Sequence, residues 1–198
     1  MTAAPSSGPV LVLPSDPGWV RLGAGVVGEL VGVFGESALF VDHIGSTAIP
    51  GMAAKPVLDL QVAVADLAEA ERRFAGPLAE LGFDGLPYRY DHVPAGVDDD
   101  PERWAKRFWR RRGHPAGPDC NLHVRVAGGP NTRLALLFRD WFRHHPEAVP
   151  AYARFKSLLA DAVPDLDGYA DVKDPVVDLV IAVAEPWAAA TGWAPHAR

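Results

Sequence analysis

The segment that most constrains this chain is residues 57–64, VLDLQVAV. Neighbouring side chains of a strand point to opposite faces, so Leu58, Leu60, Val62 and Val64 form an unbroken apolar face while Val57, Asp59, Gln61 and Ala63 share the other. Residues 120–126, CNLHVRV, repeat the pattern, with Leu122, Val124 and Val126 facing one way and Asn121, His123 and Arg125 the other. A further strand is expected at 38–43 and a short edge strand at 10–14. Around these strands the period changes. Asp16 and Pro17 are an N-cap and first-turn proline, followed by Trp19, Leu22, Val26, Leu30 and Val33 at helical spacing. Asp66 opens a second helix with Leu67, Ala70, Phe74, Leu78 and Leu81 as its buried stripe and Gly82 as its stop. Residues 83–93 are expected to be extended, 94–102 to form an acidic loop, and 132–145, 147–162 and 169–191 to be helical. The pattern predicts an α+β domain: a mixed sheet of about four to six strands with helices on one face and a C-terminal helical layer. A flexible segment at 1–14 and a tail at 193–198 would flank a single domain at 15–192.

Composition narrows the function classes. With 198 residues, 48% hydrophobic and 22% charged, the chain is long enough for a sizeable core and is neither collagen-like, coiled-coil nor wholly disordered. Nineteen Lys and Arg against 25 Asp and Glu give a net charge of −6, which disfavours a dedicated nucleic-acid binder while leaving room for a local basic groove. The single cysteine, Cys120, excludes an internal disulfide framework and a Cys-rich zinc site. No signal peptide or membrane span is read, so the expected location is cytoplasmic and no membrane partner is expected.

The run from His43 to Leu60, HIGSTAIPGMAAKPVLDL, resembles the signature of the GrpB family: an HIGST element, a Pro-Gly, then AKP and an IDI-type strand. The resemblance continues through Asn121-Leu122-His123-Val124, Phe138-Arg139-Asp140, His145-Pro146-Glu147 and the Tyr152 to Lys156 spacing, covering roughly residues 15 to 192. It implies a nucleotidyltransferase-superfamily fold with a polymerase-β-like palm. Similar domains fused to actinobacterial dephospho-CoA kinases imply, as the alternative, a non-catalytic binding or folding-assistance role linked to coenzyme A. In the superfamily pattern a Gly-Ser turn precedes two carboxylates spaced two apart on one strand face, which bind the metals. Gly45, Ser46 and Asp59 match that pattern, and Gln61 stands where the second carboxylate belongs. A glutamine offers one neutral oxygen, a poor ligand for Mg²⁺ or Mn²⁺.

The residues then suggest roles. Gly45, Ser46 and Thr47 lie in a strand-to-helix turn whose amides and hydroxyls suit a phosphate. Lys55 is expected to neutralise it, helped by Lys106 and Arg107 from the basic aromatic run RWAKRFWRRR at 103–112 and by Arg139. Asp59 is the expected catalytic and metal-binding carboxylate, in a constellation with His43, His123 and Gln61. Two imidazoles and a carboxylate also suit Zn²⁺ or Mn²⁺, or acid–base work near neutral pH with no nucleotide involved. The predicted ligand is a nucleotide or another phosphorylated small molecule.

Overall fold

In the computed structural model, which describes residues 10–115, 117–163 and 166–196, the chain runs α1 (Gly18–Phe34), β1 (Phe40–Ile44), β2 (Leu58–Val64), α2 (Leu67–Glu80), β3 (Asp84–Leu86), β4 (Lys106–Arg111), β5 (Cys120–Val126), α3 (Pro130–His144), α4 (Val149–Ala162) and α5 (Leu166–Thr191). The five strands form one mixed sheet in the order β1-β2-β5-β4-β3. Only the central β2–β5 pair is parallel; the others are antiparallel.

One face of the sheet is the main core. Leu58, Leu60, Val62, Val64, Leu122, Val124 and Trp109 pack there against Trp19, Val26, Leu30 and Phe34 of α1 and Ala70, Phe74 and Leu78 of α2. Asp66 caps α2 by accepting from the Glu69 amide at 2.8 Å. Among the described residues α1 is the one helix long and apolar enough to cross a membrane, and its buried Trp19, Val26, Leu30 and Phe34 belong to this core. The C-terminal helices cover part of the opposite face. Their contacts are a separate apolar set: Ile49 and Met52 of the β1–β2 loop pack on Phe142, Val149 and Tyr152, and Leu137 packs on Ile181, Ala184 and Ala188.

Three local expectations are corrected. The strand expected at 38–43 runs from Phe40 to Ile44, and His43 pairs with Leu60, so it lies on the α1 face rather than beside Asp59. The segment 10–14 is not a sheet edge: Leu13 makes an isolated two-bond bridge with Ala54, while Val10 is buried against Leu159 and Tyr169. The extended stretch after Phe83 contains only a three-residue strand, and the expected loop at 94–102 ends in a short 3-10 turn from Pro101 to Trp104. Residues 1–9 of the proposed flexible segment and 197–198 of the tail lie outside the described residues. The rest of that tail is engaged, with the His196 ring stacked on Phe40 at 3.8 Å and bonded to Asp42.

Candidate functional site

The loop after β1 turns at Gly45, whose backbone has φ 68° and ψ −168°. This region is open essentially to glycine alone. There is a second reason for glycine: a Cβ here would sit 2.5 Å from Asp59 Oδ2. The turn therefore lies directly against the Asp59 carboxylate, with Ser46 opening a 3-10 turn to Ala48.

Asp59 enters from β2 and Asn121 from β5 at the same register position. Asn121 Nδ2 donates to Asp59 Oδ1 at 2.7 Å, and Arg112 donates to Asn121 Oδ1 at 2.9 Å. Lys156 reaches across from α4: its Nζ lies 2.8 Å from Ser46 Oγ and donates to the Ala53 carbonyl. Lys156 is 2% exposed. Burial, together with Lys173 and Lys55, lowers its ammonium to about 7 against the opposing pull of Asp59. Lys55 lies over the Tyr169 ring at 5.1 Å. Burial lowers it too, Asp59 opposes, and Lys173, Arg112 and Arg110 add to the lowering. Asp59 thus shares its sheet face with Arg110, across Asn121, and feels the charges of Lys55, Arg112 and Lys156, with Lys173 acting on both lysines and Asp119 3.8 Å from Arg112; the region between this face and α4 and α5 is the candidate cleft.

A second polar cluster lies further along the same sheet face. Asp91 accepts from Lys106 at 2.7 Å, from Arg125 at 2.8 Å and 3.0 Å, and from Asn131 at 3.0 Å. Burial alone would raise the Asp91 carboxyl, but Arg125, His123 and Lys106 hold it far below the usual carboxylate range. Gln61, fully buried, accepts from Arg125 Nη1 at 2.8 Å and donates to Asp42 at 3.3 Å. His123 stands between the clusters, edge-on to the Phe108 ring at 4.8 Å, with Nδ1 3.3 Å from Arg125. Burial first, then Arg125 and Lys106, keep it neutral.

Of the expected residues, the fold brings Gly45, Ser46, Lys55 and Asp59 together, with His123 on the same sheet face. It does not gather the others. His43 is across the sheet under Gly23 of α1, where its Nε2 meets Thr47 Oγ1 at 2.9 Å, so the Thr47 hydroxyl serves His43 rather than the cleft. Burial lowers His43 to about 4. Lys106 is taken by Asp91, and Arg107 points to α2, where it pairs with Glu71 at 2.6 Å. Arg139 is paired with Asp140 at 2.7 Å and donates to the His43 carbonyl.

Metal ligation fails on the same geometry. Gln61 is occupied by Arg125, His43 is on the other face, and among the described residues no group of three His, Cys, Asp or Glu side chains converges. One carboxylate among several cations does not fit a Mg²⁺ or Mn²⁺ pair. Lys156, a residue of the cleft with no role in the sequence pattern beyond its spacing from Tyr152, carries a signal of its own. It interrupts the buried stripe Val149, Tyr152, Leu159 of α4, and a lysine on a buried face needs a reason.

A family model described as GrpB protein matches residues 9–182. The chain belongs to the GrpB family. Its GrpB fold is similar to the crystal structure of conserved protein GrpB from Enterococcus faecalis, with TM-score 0.71 and 25% identity over 89% of this chain and 99% of that one. It is 31% identical to a UPF0157 protein of Halalkalibacterium halodurans, over 89% of this chain and 83% of the relative. It is also 37% identical to a protein named dephospho-CoA kinase from Mycolicibacterium paratuberculosis, over 94% of this chain. The chain spans about half of that relative's length, 49%. The GrpB residues that form the cleft, Gly45, Ser46, Lys55, Asp59, Asn121 and Lys156, all lie within the matched range.

Proposed function

We propose that this GrpB chain binds a nucleotide or another phosphorylated small molecule in the cleft between Asp59 and the C-terminal helices, in the manner of a nucleotidyltransferase-like fold. The supporting observation is the gathering of Lys55, Arg110, Arg112 and Lys173 about Asp59, with Asp119 beside Arg112 as the second carboxylate. In a protein of net charge −6 such a concentration of positive charge marks a place for an anion. The cationic side chains hold the phosphates, and Asp59 and Asn121 are left for hydroxyl or amine groups of the ligand. No step through a metal follows from this donor set. Similarity to proteins named dephospho-CoA kinase favours a second reading, a non-catalytic domain that binds a coenzyme-A-type ligand for a partner activity.

Isothermal titration with ATP, CTP, coenzyme A and dephospho-CoA, each with and without Mg²⁺, tests both. Binding that survives removal of Mg²⁺ and weakens about tenfold in Lys55→Ala, the loss of a charge-assisted contact, is the expected result. Preference for the coenzyme A pair selects the second reading, and no binding of any of the four overturns the phosphate site.

A further inference from the structure

Lys156 is a buried cation for which, among the described residues, no carboxylate lies at ion-pair distance. Such a group is expensive to keep charged. The neutral amine, by contrast, is well accommodated. In the structure Nζ donates both to the Ala53 carbonyl and to Ser46 Oγ, 2.8 Å away; in the neutral amine the first bond is kept and the second reverses, the hydroxyl donating to the nitrogen lone pair. A hydroxyl at that distance from a neutral amine has a base ready to take its proton. Ser46 itself is partly exposed. Arg110 faces the same cleft on β4, next to Asn121 in register, and its Nε is buried with no hydrogen-bond partner among the described residues.

We propose that Ser46 and Lys156 form a nucleophile–base pair that hydrolyses an ester or thioester of a phosphate-bearing alcohol or thiol. This rests on the anion-binding reading for the phosphate of the substrate only; the pair stands on its own geometry. Ser46 Oγ attacks the acyl carbon as Lys156 Nζ takes the hydroxyl proton. The carbon–oxygen or carbon–sulfur bond breaks, and the leaving alcohol or thiol carries that proton away. Water then attacks the acyl-serine, giving one proton to Lys156. The acid leaves, Ser46 regains its proton, and the sum is ester plus water to acid plus alcohol. The surrounding cations stabilise the oxyanion. The groups facing Lys156 are Asp59 from β2, Lys55 from the preceding loop, Lys173 from α5 and Tyr152 on α4 itself. Asp59 and the Tyr152 ring face, 5.2 Å away, favour the ammonium; the two lysines and burial favour the free amine.

The test is labelling of the full chain by a fluorophosphonate, followed by peptide mass spectrometry. The expected adduct is on Ser46, forming faster as pH rises from 5.5 to 8.5, and slowed about a hundredfold in Lys156→Arg. Arginine preserves charge and donors but cannot act as the base. A label on Ser46 that forms equally fast in a folded Lys156→Arg protein, or with a rate flat across that pH range in the unmodified protein, overturns the pair. So does failure to label Ser46 in protein that still binds a nucleotide, and that result leaves the anion site standing. If the titrations show no nucleotide binding and Ser46 nonetheless labels as expected, the anion reading fails and the pair survives.

Discussion

At Asp59, charge and position pull toward different functions, and a single substitution separates them. If the carboxylate were a metal ligand, Asp59→Asn would abolish phosphate binding. In the cleft described above it sets a negative charge among cations, so Asp59→Asn should tighten inorganic pyrophosphate binding about fivefold, the effect of removing one unit charge at close range in a partly solvated site. Titration calorimetry without metal measures it, and a loss of affinity would count against the anion site. Asp91 is the opposite case. It is the one carboxylate shared by Lys106, Arg125 and Asn131, and Asp91→Asn should lower stability by about 3–5 kcal/mol by leaving buried cations unpaired, read as a fall in the urea midpoint. These two acids show what the sequence could convey. Asp59 was legible because it breaks an otherwise apolar strand. Asp91 was not, because it lies in an irregular stretch with no period to interrupt, and its partners come from β4, β5 and α3. Gln61 was legible as a departure from the carboxylate pattern but not as the acceptor for Arg125, since that bond depends on which strand lies beside β2.

The elements themselves were largely readable, and the failures have a common cause. β2 and β5 have one face of uniform polarity, so their phase follows from alternation. In β1 both faces mix polar and apolar groups, Asp42 with Phe40 and Ile44 on one and His43 with Val41 on the other, so the alternation cannot say which side His43 takes. The pairing with Leu60 decides it, and close approach of α1 at Gly23 seals it: a Cβ there would meet the imidazole at 2.1 Å. The turn after β1 is similarly fixed by an approach between elements. Gly45→Ala combines a strained φ with a clash on Asp59, and should destabilise by about 2–3 kcal/mol while loosening pyrophosphate binding. Chemical denaturation paired with titration checks both, and an alanine variant of unchanged stability would show that the turn relaxes freely.

For the whole molecule, His43 and Lys156 contribute to the pH dependence of stability in the same direction, alongside His123 and Asp91 on the acid side and Lys55 on the alkaline side. His43 binds its proton less readily folded than unfolded, so between about 4 and 6.5 the unfolded chain holds more protons and stability falls as the solution is acidified. Lys156, lowered from 10.5 to about 7, makes stability rise again from neutral toward alkaline pH. Urea midpoints across pH 4 to 10 should show both limbs; His43→Gln should make the acid one shallower and Lys156→Met the alkaline one, and unchanged slopes in either variant would refute the assignment. The two apolar sets on either side of the sheet share no residue. Besides the packing of Ile49 and Met52 on α3 and α4, what spans the polar face is a set of directional bonds, among them Lys156 to Ser46, Gln61 to the Thr132 carbonyl, Asn131 to Asp91, Arg139 to the end of β1 and Arg143 to the turn after it. A layer held that way can part from the sheet as a unit while α1, α2 and the strands keep their packing. Amide exchange should therefore find α3, α4 and α5 opening together at lower free energy than β2 and β5. An anion bridging the seam would slow that opening, making the cleft a clasp whose occupancy is felt as cooperativity between two otherwise independent halves.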